Sequence, residues 1–141
     1  MMDCEGRKQM AQQLLRACDI GDAPAAAGLI NDDFTFRFME QADSWTVDGQ
    51  EVPTSLDKAA FLNHGLGAAE QVTSSKRFNF GFDLAVCEGD HVMILGTSDA
   101  LSLKGDPYRN NYVWYVRFCG DGISEMREYC DTRHAHDVLF D

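Results

Sequence analysis

Residues 108–131 read Tyr-Arg-Asn-Asn-Tyr-Val-Trp-Tyr-Val-Arg-Phe-Cys-Gly-Asp-Gly-Ile-Ser-Glu-Met-Arg-Glu-Tyr-Cys-Asp. Aromatic and β-branched residues fill 108–118, which suits a long strand. Cys119-Gly120-Asp121-Gly122 then supplies turn chemistry. A second strand is expected over 123–131. Working backwards, Lys104-Gly105-Asp106-Pro107 and Glu88-Gly89-Asp90 are two more turns. They bound a strand expected over 91–103. Before it, 76–87 alternates with period two: Phe78, Phe80, Phe82, Leu84 and Val86 share one face, and Asn79, Gly81, Asp83 and Ala85 the other. The second half of the chain therefore reads as long antiparallel strands joined by tight turns.

The first half reads differently. Met10, Leu14, Leu15 and Cys18 recur at helical spacing between residues 7 and 19, and Gly21 ends that helix. Asp22 caps a second, short helix with Pro24 in its first turn. Phe34, Phe36 and Phe38 then alternate with Thr35 and Arg37, a strand. Residues 43–53 form a polar connection with a turn at Asp48-Gly49. Thr54-Ser55-Leu56-Asp57 fits a capping box opening a third helix that runs to about Gly65 or Gly67, or resumes to Gln71, with Phe61, Leu62 and Leu66 inward. Helices followed by antiparallel strands give an α+β domain. We expect a cone-shaped curved antiparallel sheet with the N-terminal helices on its concave face, one domain over residues 1–141. The opposite sheet face would need cover, and a second subunit is the usual solution.

Composition narrows the function. Twelve Lys and Arg stand against 23 Asp and Glu, a net charge of -11. Such a chain repels phosphate backbones and anionic lipid, so nucleic acid and membrane are not expected partners. No apolar segment follows a basic start, and no stretch reaches the roughly 20 apolar residues of a membrane span. A cytoplasmic protein is the expectation. The five cysteines (Cys4, Cys18, Cys87, Cys119 and Cys130) include no CxxC pair. Neither a disulfide framework nor a zinc site is suggested, and reduced thiols are expected. His134-Ala135-His136 lacks a third ligand at useful spacing, so no metal is expected. Gly65-Leu66-Gly67 does not follow a strand, so no nucleotide loop is expected. Cofactors are expected to be none.

Three segments together resemble the nuclear transport factor 2-like superfamily: residues 108–118, the Asp121-Gly122 turn, and Met126-Arg-Glu-Tyr-Cys-Asp131. Within it they resemble the SnoaL-like polyketide cyclase, limonene epoxide hydrolase and ketosteroid isomerase-like branch. The element order extends the resemblance over nearly the whole chain. It implies a cone with a deep apolar pocket, often dimeric. Members include isomerases, cyclases, dehydratases, an epoxide hydrolase and non-catalytic binding domains.

Asp131 matches the acid that points into the pocket in the epoxide hydrolase branch, and Asp99 matches that branch's second acid. Asp99 also shares a face with Leu95, Thr97 and Leu101. Two carboxyls in one dry cavity split into an acid and a base. The other readings stay open: Asp131 caps a following helix, and Asp99 faces solvent. On the last strand Arg127, Tyr129 and Asp131 share one face; Met126, Glu128 and Cys130 share the other. Tyr129 and Asn111 are candidate donors to a developing oxyanion. Tyr115 lies on Asn111's face. Trp45 is a candidate lid and His64 a candidate base or helix-end residue. Two departures stand out. Thr97 replaces an Arg of the epoxide hydrolases, and Phe36 and Phe38 stand where that branch holds its water. The expected function is cofactor-free acid–base catalysis on a small apolar or aromatic molecule, as an isomerase, cyclase, dehydratase or hydrolase. The alternative is a non-catalytic binding or dimerisation module.

Overall fold

Asp3 starts the first helix by accepting a hydrogen bond from the Gly6 amide at 2.8 Å. The helix, α1, runs Cys4–Ile20 and buries Ala11, Leu14, Leu15 and Ala17. It ends at Gly21, whose φ of 72° is left-handed. A side chain at Gly21 would also meet the Gly67 backbone at 3.3 Å. Asp22 caps α2 (Ala23–Ala27), with Pro24 in the first turn. The computed structural model describes residues 2–38, 44–47 and 49–140, without the side chains of Trp45, Val47 and Val52.

The strands follow. They are β1 (Ile30–Phe38), β2 (Ser44–Val47), β3 (Gln50–Pro53), β4 (Ser55–Asp57), β5 (Gly81–Glu88), β6 (His91–Thr97), β7 (Ala100–Leu101), β8 (Pro107–Tyr108), β9 (Asn111–Cys119) and β10 (Gly122–Cys130). Six of them form one sheet in the order β4-β1-β10-β9-β6-β5. Its pairings are antiparallel except one: β1 runs parallel to β10. That parallel pair brings the Phe34–Phe38 rings beside the last strand, which a wholly antiparallel reading would not place there. The helices lie on the concave face. Trp114, Phe34, Phe61, Leu14, Leu15 and Ile94 are the bulk of the buried core. The architecture is the α+β curved sheet with N-terminal helices that the sequence predicts.

Three local readings are corrected. The period-two run from Phe78 does not hold, because β5 starts only at Gly81 and its register shifts between Phe82 and Leu84. The bulge turns Leu84 and Val86 outward, where they are exposed, while Phe82 packs on Trp114. The third helix is broken. Asp57, not Thr54, caps α3 (Lys58–Ala60), a π-helical turn spans Phe61–Gly65, and α4 (Ala68–Val72) restarts after Gly67. The expected strand over 91–103 stops at Thr97.

The thiols also differ from expectation. Cys4 and Cys87 form a disulfide with Cα atoms 5.7 Å apart, leaving Cys18, Cys119 and Cys130 free. Spacing could not reveal it, since the two lie 83 residues apart. The bond ties the start of α1 to β5. Beside it Arg7 donates to the Gly89 carbonyl at 2.7 Å and pairs with Asp90 at 3.5 Å. No helix among the described residues is long and apolar enough to cross a membrane. Closing so long a loop restricts the unfolded chain. Replacing Cys87 with Ser is expected to lower unfolding free energy by about 2–4 kcal/mol. Denaturant titration of C87S against the oxidised protein, with a dithiothreitol-treated sample as control, measures it.

Candidate functional site

Between the concave sheet face and the helices lies a cavity of about 340 Å³. Leu15 and Cys18 of α1 form one wall, and Phe36 and Phe38 of β1 another. Phe61 of the π-helical turn closes a third side. Phe78 and Phe80 come from the segment before β5, and Asp19 holds them there. Its buried carboxylate accepts from the Phe78 amide at 2.6 Å and the Phe80 amide at 3.3 Å. The C-terminal segment α5 (Thr132–Ala135) and the π-helical turn His136–Phe140 contribute Ala135, Leu139 and Phe140. Almost everything facing the space is a ring or an aliphatic chain.

Glu128 is the exception. It lies on β10 between Phe38 of β1 and Trp114 of β9. The indole Nε1 of Trp114 donates to Glu128 Oε1 at 3.0 Å. Trp114 fits because Gly96 of β6, paired with Tyr112, carries no side chain: a Cβ there would stand 2.6 Å from the indole. Burial raises the Glu128 pKa above the ordinary carboxylate value, and the indole hydrogen bond only partly opposes it. Among the described residues lining the cavity there is no other carboxylate, and no Lys or Arg. Burial, with Glu128 nearby, also raises the flanking thiols: Cys18 strongly, and Cys130 to about 12. Both stay protonated near neutrality and are poor nucleophiles.

Two phenols add to the polar part, beside Thr46, Thr132 and His136. Tyr108 and Tyr112 share a hydrogen bond of 2.7 Å between their hydroxyls. Asn110, buried beside them, is fully committed. Its amide nitrogen donates to Tyr108 Oη and to the Asp131 carbonyl, each at 2.9 Å. Its amide oxygen accepts from Asn111 N at 2.8 Å and Asp131 N at 3.2 Å. Asn110 is therefore a donor to the phenol pair. The pair owns two hydroxyl protons and uses one internally, so one remains for an oxygen in the cavity. Burial pushes Tyr108 up to about 12 and raises Tyr112 further, which keeps both as proton donors.

The two carboxylates anticipated from sequence are not in this cavity. Asp131 is exposed and caps α5, accepting from the His134 amide at 3.1 Å. Asp99 lies beyond the end of β6, is exposed, and pairs with Arg109 at 3.2 Å. Its aliphatic neighbour Leu95 is itself 46% exposed on the outer face. The strand partition on β10 is right, but the inward face is that of Met126, Glu128 and Cys130, not that of Tyr129. Tyr129 and Asn111 lie outward and exposed. Tyr115 also faces outward, with its hydroxyl 2.7 Å from His91 Nδ1. Thr97 sits between Gly81 and Asn111 on that side. His64 is exposed near the end of its turn. The side chain of Trp45 lies outside the described residues. Phe36 and Phe38 do line the cavity. Sequence reasoning missed Glu128, Tyr108, Tyr112 and Asn110. The available signal was an acid flanked by Met126 and Cys130 on one strand face.

No family model matches the chain, and no curated protein matches its sequence. Solved structures do match. An NTF2-like protein from Burkholderia xenovorans shares 15% identity over 99% of both chains, with a TM-score of 0.71. A candidate isomerase from Bacillus subtilis shares 16% over 98% of this chain and 95% of that one, with a TM-score of 0.75. A Catenulispora acidiphila protein of ketosteroid isomerase-like fold, in complex with trimethylamine, shares 13% over 92% and 91%, with a TM-score of 0.68. The chain thus has the nuclear transport factor 2-like fold.

The raised pKa of Glu128 has a stability consequence. The folded state holds this proton more tightly than the unfolded state. Stability therefore falls as pH rises from the unfolded carboxyl value, about 4.3, through the higher folded value. Glu128→Gln removes that slope. The melting temperature of E128Q relative to wild type is expected to climb steadily across that interval, as read by calorimetry at a series of pH values. A constant difference would show that Glu128 ionises normally.

Proposed function

We propose that the cavity catalyses cofactor-free proton transfer on a small apolar carbonyl compound, with isomerisation as the reaction type. One observation carries this reading: a single buried carboxyl shares an otherwise apolar cavity with a phenol pair that has one proton to donate. In its ionised form Glu128 takes a proton from the carbon next to the carbonyl. The phenol pair donates a hydrogen bond to the oxygen that gains charge. Glu128 then returns the same proton to another carbon, so no atom is gained or lost. A raised pKa suits the role, since it strengthens the base near working pH. The matching fold of the candidate isomerase supports the reading, and the neighbour with trimethylamine is compatible with a small-molecule occupant. Asp99 and Asp131 have no part in it.

The probe is deuterium exchange next to the carbonyl in a panel of cyclic and aryl ketones, followed by NMR in D₂O. Wild type is expected to accelerate exchange of at least one member. E128Q should lose about 10²–10⁴-fold, and Tyr108→Phe about 10²-fold. D99N and D131N should match wild type. Ketone binding without any acceleration would favour the non-catalytic binding module instead.

The working unit we propose is a homodimer formed through the outer sheet face. Leu84, Val86, Met93 and Leu95 there are 44–53% exposed on adjoining strands. Next to them Arg117 and Arg127 bracket Glu125, at 3.6 and 3.1 Å. On a chain of net charge -11, this face is where two copies approach without mutual repulsion. Sedimentation is expected to give twice the chain mass, and Leu95→Asp half of that. A monomeric wild type at micromolar concentration would remove the proposal.

A further inference from the structure

Among the described residues lining the cavity, no Lys or Arg stands beside the carboxyl on its floor. Among the described residues, Trp114 is the one hydrogen-bond donor to Glu128, and it reaches Oε1. Neutral groups surround it: the Cys18 thiol from α1, the Cys130 thiol from its own strand, and the Tyr108 and Tyr112 hydroxyls. His136 is the remaining titratable residue lining the space. An ionised carboxylate in such surroundings is poorly solvated by the protein.

The walls are suited to one kind of compensation. Phe38 and Trp114 flank Glu128 on the neighbouring strands. Phe36, Phe38, Phe61, Phe78 and Phe80 line the same space. Ring faces attract cations electrostatically and ask for no hydrogen bond in return. An inorganic cation would have to shed water that these rings cannot replace. An alkylated ammonium sheds little, because its charge is already wrapped in methyl groups.

We infer that the cavity binds hydrophobic ammonium ions, with the Glu128 carboxylate as counter-charge and the surrounding rings as the shell. The inference rests on the cavity being a ligand site, and not on proton transfer in it. Binding of the cation fixes Glu128 in its ionised form, so a proton leaves as the ligand enters. Affinity therefore rises with pH until Glu128 is ionised in the free protein.

Benzyltrimethylammonium is the probe, and neopentylbenzene, its uncharged isostere, is the control. Both are titrated by protein-observed NMR between pH 5 and 8.5. The cation is expected to bind at least tenfold tighter at the upper end than at the lower. E128Q should lose at least tenfold for the cation and keep its affinity for the isostere, which also reports that the variant is folded. E128D should retain the preference for charge, and H136Q should leave the pH profile unchanged. Equal affinity for cation and isostere in wild type would overturn the inference, as would undiminished cation binding by E128Q or no binding of the cation. Should E128Q fail to fold, a flat wild-type pH profile overturns it equally. Loss of ketone exchange with this binding intact would count against the catalytic reading alone.

Discussion

One part-buried carboxyl, with no Lys or Arg among the described residues lining its cavity, constrains everything around it. Glu128 is destabilising when ionised, because burial penalises its charge and, among the described residues, one indole N–H reaches it. Folding tolerates this because the proton can stay on. The rest of the cavity is consistent with that bargain. No Lys or Arg is among its described lining residues, and its thiols and phenols are held neutral by the same burial. On the proposed reading, the state of Glu128 is set by an occupant.

The fold holds this arrangement through a small number of contacts at the end of the sheet. Asn110 joins the phenol pair to the backbone of Asp131, the cap of α5. The segment beyond that cap puts Ala135, Leu139 and Phe140 on the cavity wall. His134 of the same segment stacks on Tyr108 with ring centres 5.4 Å apart. Polar positioning and apolar enclosure thus meet at one junction. A buried side chain with all four hydrogen bonds made, like Asn110, specifies geometry more sharply than packing alone.

Much of the fold was legible because its signals are local. Gly21, Asp22 and Pro24 act where they stand, and the strand pair around Gly120-Asp121-Gly122 is set by turn chemistry. The site was not legible in the same way, because inwardness is not local. Period-two alternation divides β10 into two faces but does not say which faces the helices. Both faces of this sheet are apolar in part: Leu84, Val86, Met93 and Leu95 on the outside look in sequence like a core. Asp99 inherited that error from Leu95. The bulge after Phe82 inverted one strand, and the parallel pairing of β1 with β10 set the neighbours of Glu128. Neither is written in a short motif. The disulfide likewise depends on two residues that only the fold brings together.

A site with one ionisable acid of its own is also selective about chemistry. Hydrolysis needs a held water as well as a base, and the Phe36 and Phe38 rings that line the cavity offer such a water no hydrogen bond. Dehydration needs a proton delivered to a leaving oxygen while another is removed. The phenol pair can supply a hydrogen bond, but burial keeps its protons in place. Isomerisation asks least, since in the proposed reaction one carboxyl removes a proton and returns it. The same economy explains why a cation is an alternative occupant. The two proposed occupants, a neutral ketone and an alkylated ammonium, are both suited to an apolar, ring-lined space. They would differ in what they do to one carboxyl: the first would borrow its capacity to hold a proton, and the second would take the proton's place.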